Sequence, residues 1–142
     1  MAMENKSMYS NIRGVAAVEF AIVVPVLLMI LFGIIAYGIF FGAANSLQQL
    51  AASSARAAMG GLDVDERQAI VETYVDSYFA SDGLLRREHL IVSVEALEHD
   101  ETLMAVSVRY DAGHLPLWNI YAGFPPPEKV IERRALIRAG GH

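Results

Sequence analysis

Apolar and polar positions divide the chain into three regimes. From Val15 to Ala44, thirty residues run almost without a polar break, and Glu19 carries their one formal charge. As a single helix that run would be about 45 Å long, against roughly 30 Å of bilayer hydrocarbon. Its most apolar part, Phe20 to Phe41, suffices to span, so the pattern predicts a transmembrane helix over residues 15–44. The helix is expected to continue, now partly polar, over residues 45–60. There Leu47, Leu50, Ser54 and Ala58 recur at helical spacing and form a narrow stripe suited to another helix or a sheet. Gly60-Gly61 should stop it.

Past residue 61 the periods change twice. Asp63 and Glu66 have capping-box spacing ahead of a second helix, expected over roughly 64–81. Its apolar face is Ile70, Val71, Tyr74, Val75, Tyr78 and Phe79. From Leu90 the period drops to two. Leu90, Val92, Val94 and Ala96, then Met104, Val106, Val108 and Tyr110, alternate with mostly polar neighbours and predict an antiparallel hairpin connected through Glu98-His99-Asp100-Glu101. Pro116 and Pro125-Pro126-Pro127 interrupt the following stretch. A third strand is expected over Val130–Ile137, with Ile131, Ala135 and Ile137 inward. Trp118, Tyr121 and Phe124, in the proline-flanked stretch, should close the small core. Gly140-Gly141-His142 should fray, and Asp82-Gly83 is a turn signal. The fold class is thus α+β: a long amino-terminal transmembrane helix, a second helix and a small antiparallel β-sheet head over residues 61–142.

Composition sharpens this reading. Hydrophobic residues make up 54% and charged residues 19%, below the quarter usual for soluble domains. The deficit lies in the run over residues 15–44, which a soluble core does not easily absorb, and that run excludes a purely cytosolic enzyme. The net charge is −5, and the excess of acid lies past residue 60, where 14 acidic residues face 8 basic ones. An acidic head offers no basic footprint for nucleic acid. Lys6 and Arg13 precede the apolar run, so the positive-inside rule keeps residues 1–14 in the cytoplasm and sends the head outward. A secretory signal peptide is the competing reading, but its apolar core is only about 7–15 residues. The small-residue site it would need, Ser54-Ala55-Arg56-Ala57, lies too far from the basic end.

Candidate chemistry is sparse. The chain has no cysteine, which removes disulfides and thiolate chemistry. His89, His99, His114 and His142 fall in four segments without metal-ligand spacing, and Ser53 and Ser54 lack the context of a nucleophile. No catalytic residue, metal site or cofactor is expected. What stands out lies in the helix itself. Glu19 is an ionisable group at the membrane edge, a functional-site hypothesis by default. Pro25 should kink or loosen the helix near Phe20-Ala21. Gly38, Gly42 and Ser46, spaced four apart, share one face that permits close approach of another helix in lipid. Gly33 lies elsewhere around the helix.

Asn11-Ile12-Arg13-Gly14 followed by Val15-Ala16-Ala17-Val18-Glu19-Phe20 resembles the processing site of type IV prepilins. With Phe20-Ala21-Ile22-Val23-Val24-Pro25 and the Ala51–Ala58 stretch behind it, the segment is most similar to the TadE-like minor pilins, or pseudopilins, of the tight-adherence (Flp) pilus system. Glu-Phe in place of the Glu-Tyr of the major Flp pilins, and a much longer chain, point to a minor subunit. The resemblance implies a pilin-like plan, with a cytoplasmic leader of residues 1–14 removed by a prepilin peptidase cutting between Gly14 and Val15. Cutting there creates an ammonium at Val15, which Glu19 could neutralise within the chain or on an axially shifted neighbour. The implied partners are that peptidase, other pilin or pseudopilin subunits, an inner-membrane assembly platform and the lipid bilayer. The implied place is the bacterial inner membrane, single-pass with the amino end inside, with incorporation into a surface pilus as a further option; the implied role is pilus biogenesis, adhesion and biofilm formation. The alternative of another class is an uncleaved, membrane-anchored extracytoplasmic binding module.

Overall fold

The computed structural model describes residues 5–80, 83–97, 100–120 and 126–138. The first element is a single helix, α1 (Asn5–Ala58), about 80 Å long at 1.5 Å per residue. Gly14 and Pro25 both lie inside it. This helix is long and apolar enough to cross a membrane. Over residues 12–35 every residue is exposed except Val24, half-buried, and Gly33, buried. From Ala36 onward one side is covered: Ala36, Ala43, Ala44, Leu47, Leu50, Ala51, Ser54, Ala55 and Ala58 are all buried. The stripe expected from the sequence is therefore the docking face for the head, and small side chains let the sheet and the second helix approach it closely. Burying a leucine such as Leu47 or Leu50 contributes roughly 1.5–3 kcal/mol.

The helix ends as its glycines dictate. The Gly60 and Gly61 amides donate back to Ala57 and Ala58 carbonyls at 3.3 and 3.2 Å. Asp63 then caps α2 (Val64–Tyr78), its Oδ1 accepting from the Glu66 amide at 2.8 Å. Glu66 reaches back to the Leu62 amide at 2.7 Å, completing a reciprocal cap shifted by one residue. The second helix stops at Tyr78 rather than near 81, because Phe79 and Ala80 fold into a closing turn bonded to Val75 and Ser77. Val71 and Val75 are its buried ridge, flanked by half-buried Tyr74 and Phe79.

The sheet is antiparallel with order β1-β2-β3, formed by β1 (Leu90–Leu97), β2 (Asp100–Asp111) and β3 (Val130–Arg138). Val92 pairs with Val108 and Val94 with Val106, while Tyr110 pairs with Ile131 and Met104 with Ile137. These residues form the inner face against α1 and α2. Two expectations need correction. Ala96 is exposed, because the register shifts between Ala96 and Leu97. Ala105 and Ser107, on the outer face, are buried, because β2 is the central strand and larger neighbours flank these two small side chains. Ser107 also accepts from Arg134 Nε at 3.1 Å.

Between β2 and β3 the chain makes 3-10 turns at Ala112–His114 and Pro116–Asn119. Leu115 and Leu117 are buried, and half-buried Trp118 closes the core with its Nε1 donating to the Ala112 carbonyl at 2.7 Å. Of the expected Glu98–Glu101 connection, Asp100 and Glu101 belong to β2 instead; Glu98 and His99, Asp82, Tyr121 and Phe124, Pro125 and Gly140-Gly141-His142 lie outside the described residues.

Candidate functional site

The residues singled out at the amino-terminal end share one environment. Gly14, Val15 and Glu19 are exposed on α1 with no part of the head against them. A Cβ built at Gly14 meets nothing within 4 Å. Val15 and Glu19 stand one turn apart on the helix. Among the described residues no group pairs with the Glu19 carboxylate. The Gly14–Val15 bond lies in helix, so a protease cutting there would have to unwind it locally. Glycine eases this, since it disfavours helix by about 1 kcal/mol relative to alanine. Pro25, exposed ten residues further on, leaves the Ala21 carbonyl without its usual donor.

Of the three small residues expected on one open face, Gly38 and Gly42 stand clear of the docking face and Ser46 does not. Gly38 and Gly42 are exposed, and a Cβ at either would meet no neighbour within 4 Å. Ser46 is half-buried where the end of α2 arrives, lining a groove with Ser77, Phe79 and Leu85. Gly33, by contrast, lies on the covered side. The head thus occupies one side of α1 and leaves the Gly38–Gly42 side open to another helix. The cause is angular: at 100° per residue these glycines point away from Ala43, Leu47 and Leu50.

Three arrangements in the head escaped the sequence. Arg67 is buried, 6% exposed, with Nε donating to the Gly61 carbonyl at 2.9 Å and a terminal nitrogen 3.0 Å from Met104 Sδ. Gln68 clamps the outer edge of β1: its Nε2 donates to the Val92 carbonyl at 3.2 Å, and its Oε1 accepts from the Val94 amide at 2.9 Å. Arg87 extends the seal by donating to the Leu90 carbonyl at 3.0 Å, itself held by Asp76 at 2.7 Å. An edge so covered cannot recruit a stray strand. Finally, His89 and His114 stack with centroids 3.9 Å apart and planes 9° from parallel. Parallel rings send their in-plane lone pairs side by side rather than to a common point, so this is a packing contact and not a chelate. Nothing in their sequence spacing announces it.

No curated protein and no solved structure matches the chain. Residues 14–56, under a third of the chain, match the family model described as TadE-like protein, and that match starts at Gly14 and ends inside the stripe on which the head docks.

Proposed function

We propose that this protein is a TadE-like minor pilin, or pseudopilin, and that its work is assembly rather than catalysis. The observation that carries the reading is the exposure of residues 12–35 around the whole helix, in the same segment that matches the TadE-like model. Phe20, Ile22, Leu27 and their neighbours are too apolar to face water, so a bilayer or other helices must cover them. Residues 1–14 are a cytoplasmic leader, and a prepilin peptidase cuts between Gly14 and Val15. The chain sits in the inner membrane with its amino end inside and its head outside.

Once cut, the Val15 ammonium needs a carboxylate in an apolar setting, and Glu19 of the same or a shifted copy supplies it. The open Gly38–Gly42 side then packs against other pilin or pseudopilin helices at the assembly platform, in support of adhesion and biofilm formation. The test is amino-terminal sequencing of protein taken from membranes and from sheared surface fractions. Val15 as the terminus supports the reading. An intact leader on functional protein in both fractions overturns it and leaves the anchored binding module.

A further inference from the structure

The two sides of α1 leave the apolar regime at different heights. On the side away from the head, Ile34, Ile35, Gly38, Phe41 and Gly42 are exposed and apolar or backbone-like, with Phe41 64% exposed. Exposed polar residues begin there at Asn45, followed by Gln48 and Gln49. On the head side Gly33 is already buried, and the buried side chains begin at Ala36. Between Ala36 and Gly42 the helix rises about 9 Å while bare and apolar on one side and covered by the head on the other.

Contacts along the sheet show which part of the head occupies that height. Arg67 ties Met104 to Gly61, at the end of the head remote from the apolar span. β2 runs from there to Tyr110, whose hydroxyl accepts from the Arg86 amide, beside Leu85 in the groove at Ser46. The chain then continues past Tyr110 into the Pro116–Asn119 turn, which packs on α1. Ile39 and Phe40 are half-buried against the same core as Trp118 and Ile120. On α1 at this height Phe41 meets the rings of Tyr37 and Phe40, and on the head Lys129 Nζ stands 5.8 Å from the centre of the Trp118 indole. Aromatic rings with a polar edge and long cationic side chains are the groups that favour the boundary between headgroups and acyl chains.

We infer that the Pro116–Asn119 rim of the head, with Trp118 and Lys129, lies in the headgroup layer of the bilayer at the height of Tyr37 and Phe41, so that the head rests in the membrane surface. The inference rests on α1 spanning a membrane. A bilayer deep enough to cover Phe41 and Gly42 on the open side reaches the rim on the other. The occupant is lipid because the covering of the rim is continuous with the covering the helix itself demands.

Trp118 is the sole tryptophan, which makes the depth of the rim readable. The full chain is placed in phosphatidylcholine vesicles brominated either near the headgroup or near the chain end, and tryptophan quenching is compared with that by aqueous iodide. The expected result is quenching by the shallow lipid at least about twofold stronger than by the deep lipid or by iodide, unchanged on dilution of protein into lipid. Quenching by iodide with none by either lipid overturns the inference. So does shielding from lipid that is relieved by dilution, which would assign the rim to a second copy. A Trp118→Phe, Leu28→Trp chain separates the two levels of the argument. Deep-lipid quenching of that reporter with an iodide-quenched Trp118 removes only the rim proposal, whereas an unquenched reporter removes the membrane span and the rim together.

Discussion

Arg67 and Gly61 are locked together: the Arg67 Nε donates to the Gly61 carbonyl at 2.9 Å, and a Cβ on Gly61 would stand 2.5 Å from Arg67 Cγ. The same phantom atom would be 3.0 Å from the Arg67 backbone nitrogen and 3.2 Å from its Cα. The reason for glycine here is close approach of two chain segments. It lets α2 start directly against the end of α1, and Arg67 then reaches across to Met104 on the sheet.

Gly61→Ala should therefore destabilise the head by about 1–3 kcal/mol, the usual cost of forcing atoms into a closed contact. Denaturation of the full chain in detergent measures it. Gly60→Ala is the control, since its Cβ would make only an ordinary 3.7 Å contact with the Ala57 carbonyl. Equal losses in the two variants would mean that the turn, not the Arg67 contact, is what glycine serves.

Replacing Gln68 with Leu keeps helix propensity and removes both hydrogen bonds to the β1 edge. The Val94 amide and the Val92 carbonyl then depend on water, and the loss should be about 1 kcal/mol because this edge is half open to solvent. Amide hydrogen exchange at Val94 should quicken more than at Val106 in the central strand. A uniform change across the sheet would show that Gln68 acts on overall stability and not on the edge.

Ser54 carries a fully buried hydroxyl with no hydrogen-bond partner, the one such side-chain atom among the described residues. It faces the head from the middle of the docking stripe. Ser54→Ala should hold or raise stability, by up to about 1 kcal/mol, since it deletes an unsatisfied polar atom at almost constant volume. A lower melting temperature for this variant would reveal a partner for the hydroxyl in the assembled protein.

Gly38→Tyr and Gly42→Tyr should leave the head intact, because both positions open onto empty space. Hydrophobicity is kept, so insertion should also survive. Crosslinking between membrane helices at equal expression should fall if the open side is used for close approach. Unchanged yields with an intact head would make the glycine spacing incidental to assembly.

Periodicity carried the sequence reading a long way. The spacing of Leu47, Leu50, Ser54 and Ala58 marked the docking stripe, and strict alternation in Leu90–Val94 and Met104–Tyr110 marked the inner face of the sheet. What stayed hidden depends on contacts distant in sequence. Arg67 sits beside Asp65 and Glu66 and so resembles a solvated helix face; its burial comes from Met104, far along the chain. Gln68 is similarly ordinary until β1 lies next to it. The candidate assembly residues show the opposite limit. Gly14 and Glu19 were visible as a motif and Gly38 by its spacing from Gly42, yet among the described residues nothing from the head touches them, so the fold adds nothing to what the sequence said of them.

Glu19 allows the most discriminating substitution. Glu19→Gln keeps size and helix propensity and deletes the charge. Before cleavage no ammonium exists at Val15, and within the folded chain no described group pairs with the carboxylate, so the variant should fold and insert normally. Cutting at Gly14 depends on backbone access to that bond, not on a side chain a turn away, so processing should also proceed. After cleavage the situation reverses. A Val15 ammonium moved among apolar helices without a counter-charge is costly, and docking of the matured chain should fail. If Glu19 only reached into the headgroups, its loss would cost little and assembly would be normal. Two measurements from one strain separate these outcomes: the processed fraction by mass spectrometry and the amount recovered with pilus complexes by pull-down. Complete processing with several-fold lower recovery supports the pairing of Glu19 with the Val15 amine. Complete processing with wild-type recovery removes it, and the proposed assembly role would then stand on cleavage at Gly14 and the open glycine face alone.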